Sequence, residues 1–262
     1  MRTLIGCTVS LLALAVASPA LAQDTAPPEA IVINGTATVV TDYRFRGISQ
    51  TNKNFAVQGS LTATHESGFY VSAWGSSIDD YVANGSNQEI DLIGGFKKTI
   101  QGTTLDVGVL YYFYPASQKG GASFAGEKKY NSDFAEPYVS VAHTFGPVTA
   151  KATANYAFKQ KALGLVANAN GTQRRDDNLY TAFDLSGGIA PGVGLSAHIG
   201  HNWTSSALSL GLKKYTDWGA GVNYTYKAIT FGVSYVGTDI PTAPLGKDVG
   251  KDGVVGSIGV SF

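Results

Sequence analysis

Cysteine is almost missing from this chain of 262 residues, with Cys7 the only one, and methionine is confined to position 1. Charge is scarce. Asp, Glu, Lys and Arg make up 15% of the residues, against roughly 25% in a soluble globular domain. The two signs balance at 19 each, so the formal net charge is zero. That balance excludes the basic footprint of a nucleic-acid-binding protein. No stretch offers the ~20 apolar residues of a membrane-spanning helix. What the chain has in quantity is glycine (32), tyrosine (14) and phenylalanine (12). Many aromatics with few charges exclude long disorder, and the scattered glycines lack the triplet period of collagen.

Residues 1–22 read as a secretory signal peptide. Arg2 gives a positive n-region, Leu4 to Val16 an uncharged apolar core, and Ala20-Leu21-Ala22 a small-residue cleavage pattern. Cys7 lies inside that segment, so the exported chain is expected to carry no disulfide, haem attachment or thiolate metal site. Residues 23–30 are expected to form a short periplasmic leader, and residues 31–262 a single domain.

From Ile31 onward, period two takes over. Ile31, Ile33, Ala37, Val39, Tyr43 and Phe45 alternate with Val32, Asn34, Thr36, Thr38, Asp42, Arg44 and Arg46. One face is apolar with aromatics at its end; the other is polar and becomes charged. The pattern recurs eleven more times, for example Phe69, Val71 and Ala73 against Tyr70, Ser72 and Trp74, and Ile229, Phe231, Val233 and Tyr235 against Thr230 and Ser234. Such alternation marks strands that meet a different solvent on each face. Connections alternate too. Short turns such as Glu66-Ser67-Gly68 and Gly146-Pro147 are interleaved with longer polar segments such as Gly47 to Asn54 and Pro115 to Ser132. Short turns on one rim and long loops on the other are the layout of an outer-membrane barrel. The expected fold is therefore all-β: an antiparallel up-and-down transmembrane β-barrel of about twelve strands. A soluble sandwich also alternates, but it carries charge on its outward faces. Here aromatics cluster at the ends of the apolar face: Tyr43, Phe45, Phe113, Phe158, Trp203 and Tyr235 near one rim, and Phe69, Phe96, Phe145, Tyr224 and Phe262 near the other. These are candidate interfacial girdles. Phe262, which closes an alternating run, resembles the terminal signal recognised by outer-membrane assembly machinery.

The run Thr41-Asp42-Tyr43-Arg44-Phe45-Arg46-Gly47-Ile48-Ser49-Gln50-Thr51, then Ala56-Val57-Gln58-Gly59 and Gly68-Phe69-Tyr70-Val71-Ser72-Ala73-Trp74, resembles the TorF family of proteobacterial porins. The likeness is specific over roughly the first three strands. Phe55 departs from the proline of that pattern, which puts the tip of its strand in question. The resemblance implies an outer-membrane barrel with a porin role, and no site residues come with it.

The alternation assigns ten charges to the lumen: Asp42, Arg44, Arg46, Glu89, Asp91, Asp106, Glu136, Lys151, Asp184 and Asp217. Charges inside a barrel tune selectivity where water is present. They also form ion pairs that brace the wall, and the two readings of the Asp42, Arg44, Arg46 cluster stand side by side. Lumen-facing Tyr70, Trp74, Tyr112, Tyr114, Tyr138, Tyr180 and Tyr215 form either a stacking path for solutes or, more in keeping with a narrow barrel, its packing. The four histidines, His65, His143, His198 and His201, have no zinc-binding spacing. Nucleophile-elbow, phosphate-loop and dinucleotide motifs are absent, so no cofactor is expected. The expected function is passive diffusion of small hydrophilic solutes through a narrow, cation-preferring lumen. The rivals are a non-conducting structural or adhesion barrel and, third, an outer-membrane enzyme. An open lumen favours the porin and a plugged one its first rival. Expected partners are outer-membrane lipid and lipopolysaccharide, facing basic loop residues such as Lys119, Arg174 and Arg175, together with the assembly machinery through Phe262, and small solutes.

Overall fold

Alternating Val, Ile, Leu and Phe with Ser, Thr, Gly and Asn makes a pleated ribbon with one apolar and one polar face. In the computed structural model, which describes residues 30–117, 131–164, 175–241 and 248–262, twelve such ribbons close into one antiparallel barrel. The signal peptide expected at 1–22 and the leader up to residue 29 lie outside the described residues, as do Lys119 and Arg174. In chain order the strands are β1 (Ile31–Val40), β2 (Arg44–Phe45), β3 (Ile48–Ser49), β4 (Ala56–His65), β5 (Phe69–Ser77), β6 (Gln88–Ile100), β7 (Thr103–Phe113), β8 (Phe134–Phe145), β9 (Val148–Gln160), β10 (Asp176–Ala190), β11 (Val193–Asn202), β12 (Tyr215–Tyr226), β13 (Ile229–Thr238) and β14 (Gly253–Ser261). All but β2 and β3 belong to the barrel, whose wall follows chain order from β4 to β14, with β1 closing the ring between β14 and β4.

Closure leaves no open sheet edge in the wall, the condition for strands in lipid. At the seam, Thr36 to Val40 of β1 run against Ser261 to Ser257 of β14. Gly35 donates its N–H to the Phe262 carbonyl at 2.8 Å, and Phe262 returns one to Gly35 at 3.0 Å. The terminal phenylalanine is thus bonded into the joint.

The outer surface is apolar from rim to rim: Val57, Val71, Leu92, Val139, Phe183, Val222, Val233 and Val254 are all exposed. Outward aromatics flank this band. Phe113, Phe158, Trp203 and Tyr235 sit near the long-loop rim, and Phe69, Phe145, Tyr224 and Phe262 near the short-turn rim.

Tyr43 and Phe45 depart from the expected girdle. Both are buried inside the barrel, because β1 ends at Val40 instead of running on to Arg46. Val40 opposite Ala56 is the last pair of β1 with β4. Just beyond, the Asp42 carboxylate gathers Arg44 Nε at 2.5 Å, Ser49 Oγ at 2.6 Å and Thr51 Oγ1 at 3.2 Å. That hub folds residues 41–51 back on themselves, and the chain turns inward.

The two faces of one strand should respond differently to a larger polar side chain. Val233→Arg, at the lipid-facing middle of β13, is expected to cost roughly 2–4 kcal/mol of folding stability in lipid vesicles. Ser234→Asn, on the lumen side, should change the denaturation midpoint little. Equal effects would reverse the assigned faces.

Candidate functional site

The inward segment is a miniature hairpin. Arg44 pairs with Ser49 and Phe45 with Ile48, which leaves a two-residue turn at Arg46-Gly47. Both turn residues have positive φ, 49° and 79°, as a type I′ hairpin turn requires. Asn or Gly is favoured at the first position, and a left-handed arginine costs about 1–2 kcal/mol. Glycine at the second is obligatory on two counts. Besides its φ, an added Cβ would meet the Thr238 methyl and lie 2.8 Å from Asp217 Cβ. The turn is pressed against β12 and β13.

From there the hairpin touches the wall nearly all the way round. Arg46 Nη2 donates to both Glu136 oxygens, at 2.8 and 2.7 Å. Its guanidinium lies 4.2 Å from the Tyr180 ring centre and 4.7 Å from that of Phe45. The Tyr215 hydroxyl donates to the Arg46 carbonyl at 3.2 Å. Tyr43 donates to Glu89 at 2.9 Å and meets Trp74 edge-on at 5.4 Å. Phe45 meets Tyr112 edge-on at 5.9 Å, and Tyr112 stacks on Phe134 at 4.3 Å. The base is tied to neighbouring loops. Arg44 Nη1 donates to the Lys251 carbonyl at 2.8 Å, Ser49 N–H to the Val249 carbonyl at 2.9 Å, and Asp79 N–H to the Gln50 carbonyl at 2.7 Å. The Tyr81 hydroxyl donates to the Ser49 carbonyl. Through this level the lumen is filled.

The wall side of these contacts carries hydrogen bonds of its own. Glu136 also accepts from Tyr112 and Asn155, each at 3.2 Å. Tyr180 donates to Asp217 at 3.0 Å, and His198 bridges the same Asp217 at 3.0 Å to Asp184 at 2.6 Å. Gly200 makes room for this: a Cβ there would overlap the Tyr180 hydroxyl. In the hairpin, burial and then the charges of Glu89 and Asp91 push the Tyr43 hydroxyl well above its usual range, so it stays a donor. Burial, the largest single influence, would lower the Arg46 value, but the charge and hydrogen bonds of Glu136 together with Tyr112 and Tyr180 outweigh it; the net shift is upward and the guanidinium stays charged.

Carboxylates are in surplus here. Asp42 with Arg44 and Glu136 with Arg46 neutralise one another. Glu89, Asp91 and Asp217 lie at the same level and are buried. Both Asp91 oxygens are enclosed without a hydrogen-bond partner. Asp106, Lys151 and Asp184 lie in the other half of the lumen. Asp106 accepts from Tyr70 at 2.8 Å and Tyr138 at 3.2 Å, and Lys151 sits across the ladder from Asp184.

Sequence periodicity therefore placed Glu89, Asp91, Glu136 and Asp217 at one level of the interior, and it placed Asp42, Arg44 and Arg46 inside the barrel but on the wrong element. These lie on a hairpin inside the lumen, not in a row along β1. Tyr112, Tyr180 and Tyr215 pack around that hairpin, which makes them filling rather than an open stacking path. The His198 bridge was overlooked. Its signal was present in Asp184, His198 and Asp217, all inward on adjacent strands.

The sequence model of bacterial proteins of unknown function named Gcw_chp matches residues 23–262. The chain belongs to the Gcw_chp family. The fold of this family member is similar to that of the NanC porin, with a TM-score of 0.55 at 14% identity over 88% of this chain and 99% of that one. It is also similar to the KdgM porin, with a TM-score of 0.52 at 8% identity over 88% of this chain and 97% of that one. At such identities the likeness is one of fold. No curated protein matches the sequence.

Removing one partner of a buried ion pair leaves the other uncompensated. Arg46→Met and Glu136→Gln are each expected to cost hairpin seating about 3–5 kcal/mol, whereas Arg46→Met with Glu136→Leu recovers most of it. Trypsin cleavage after Arg44 in the refolded barrel reads this directly. Cleavage should be fast in both single variants and slow in the wild type and the double variant.

Proposed function

We propose that this Gcw_chp protein is an outer-membrane porin of narrow bore, related to the TorF porins, that passes small hydrophilic solutes by diffusion and prefers cations. The hairpin is its constriction. The observation that carries this reading is the contrast between wall and partition. The wall is one continuous hydrogen-bonded ladder. The hairpin crossing it pairs only with itself and is fastened to the wall by side chains and a few loop hydrogen bonds. Such a partition can shift without breaking the barrel. Below it the interior is lined by hydroxyls and charges, including Ser60, Thr62, Ser72, Asp106, Ser140, Lys151 and Asp184, an interior suited to water. The acid surplus supports the cation preference, since a low-dielectric wall extends the reach of such charges.

The second reading, a non-conducting barrel, is favoured by one observation: Tyr43 and Arg46 are 1% and 2% exposed, so the seated hairpin blocks the lumen. The non-enzymatic reading rests on His198, whose hydrogen-bond partners are Asp184, Asp217 and Tyr180, with no serine among them. As partners we propose lipopolysaccharide phosphates for exposed basic residues at the long-loop rim such as Lys159, near the end of β9, and Arg175, and the assembly machinery for Phe262.

Planar-bilayer recording separates the two main readings. The wild type should give small, flickering, cation-selective currents, measured below 0.1 M salt, where screening lengths exceed about 10 Å. Replacing residues 42–50 by a short Gly-Ser turn should enlarge them several-fold. Asp91→Asn with Asp217→Asn should move the reversal potential toward zero. Silence from both the wild type and the shortened variant identifies a non-conducting barrel.

A further inference from the structure

Arg46 occupies a place whose wall groups are also hydrogen-bonded to one another. The Glu136 carboxylate is oriented by Tyr112 and Asn155. The Tyr180 ring offers its face to the guanidinium at 4.2 Å and is itself held through Asp217. All of these groups stand on barrel strands, β7 to β10 and β12, whereas Arg46 arrives on a two-residue turn in a left-handed conformation unfavourable to arginine. A carboxylate beside an aromatic face is the recognition chemistry of organic cations.

The fit of the tethered arginine is incomplete in two ways. Only its Nη2 bonds Glu136, although a free guanidinium can present two nitrogens in a fork; Arg46 Nε and Nη1 are buried without hydrogen-bond partners. Asp91, opposite Tyr112 in the ladder and within electrostatic reach of Glu136, has both oxygens enclosed and unpartnered. The chamber therefore offers more hydrogen-bond acceptors than Arg46 uses.

We propose that the chamber formed by Glu136, Asp91, Tyr112 and Tyr180 is a binding site for small solutes bearing a guanidinium group, and that Arg46 is a tethered stand-in which such a solute displaces. The proposal rests on the porin reading for its role in transport, but binding itself can be tested without transport. A free solute bonds Glu136 through two nitrogens and reaches Asp91, and the hairpin, deprived of its anchor, swings toward the long-loop rim. Cation entry and opening are then one event.

The test compares arginine with citrulline, its neutral-side-chain isostere, on the full-length refolded barrel. Trp74, which lies against Tyr43, reports hairpin seating in a variant with Trp203→Phe and Trp218→Phe. Arginine should change the Trp74 emission at concentrations roughly tenfold or more below those citrulline needs, the scale of one charge-assisted hydrogen-bonded contact. In bilayers it should also raise the open fraction. Glu136→Gln should abolish the arginine preference in both measurements. Because that variant removes the anchor, Asp91→Asn serves as the second: it keeps Arg46 paired and should weaken the arginine response while leaving the hairpin seated. Equal responses to arginine and citrulline, or an arginine preference that survives Glu136→Gln, overturns the proposal. A Trp74 response without any current in the shortened-hairpin variant upholds the binding site and rejects the porin reading.

Discussion

Everything in this molecule follows from the requirement that no backbone polar group face lipid unpaired. Helices meet it locally, but the chain beyond its N-terminal segment has no apolar run long enough. Strands meet it only by closing, so the ladder between β1 and β14 is the joint on which the barrel depends. Closure at twelve strands then fixes a narrow interior. With the outside given over to Val, Leu, Ile and aromatics, the charges that the strands carry between the two rims are directed inward. The acid-rich lumen is thus a consequence of how the wall is built, and the hairpin answers part of that charge with Arg46.

Burying an ion pair is a poor way to gain stability, because desolvating two charges offsets most of their attraction. An apolar turn packed among Tyr112, Tyr180 and Tyr215 would seat at least as firmly. Arginine at a left-handed turn position adds conformational cost. What the pair supplies is specificity of position: one carboxylate on β8 selects where the tip rests, and the Gly47 contact with Asp217 and Thr238 allows no bulkier turn. Asp42 does the corresponding work at the base. Its two oxygens hold Arg44, Ser49 and Thr51, so the point at which β1 leaves the wall is set by side chains of the segment that departs.

This explains which parts could be read from the chain. A strand in a barrel wall shows period two because its faces meet lipid and water, and that signal placed Glu89, Asp91, Glu136 and Asp217 inside. A hairpin strand shows the same period for a different reason: Tyr43 and Phe45 pack on the wall at β5 to β7, and Arg44 and Arg46 reach loop carbonyls and Glu136. Tyr43-Arg44-Phe45-Arg46 therefore continued the alternation of Ile31 to Val40 without a break. The hidden boundary had two local marks. Arg46-Gly47 with Ile48-Ser49 after it fits a two-residue turn and return strand, and the run from Ile31 to Arg46 exceeds the ~9–11 residues that a tilted spanning strand needs. The His198 bridge was legible in principle, but it required the register of β10, β11 and β12, which alternation alone leaves open.

On the porin proposal, the arrangement of charge also bears on how a seated hairpin and a solute path could coexist in one barrel. A plug built for permanence would share backbone hydrogen bonds with the wall, since these cannot be exchanged without unfolding a strand. Here the tip is held by Glu136, Tyr180 and Tyr215, side chains whose partners can be replaced one for one by groups of similar chemistry. Water alone replaces them badly, because it leaves a carboxylate in a confined, tyrosine-lined chamber without a counter-charge. A cation replaces them well. On the proposed porin reading, the same constraint that keeps the hairpin seated biases what can unseat it, and selectivity would lie in the exchange of one cation for another more than in the width of the bore.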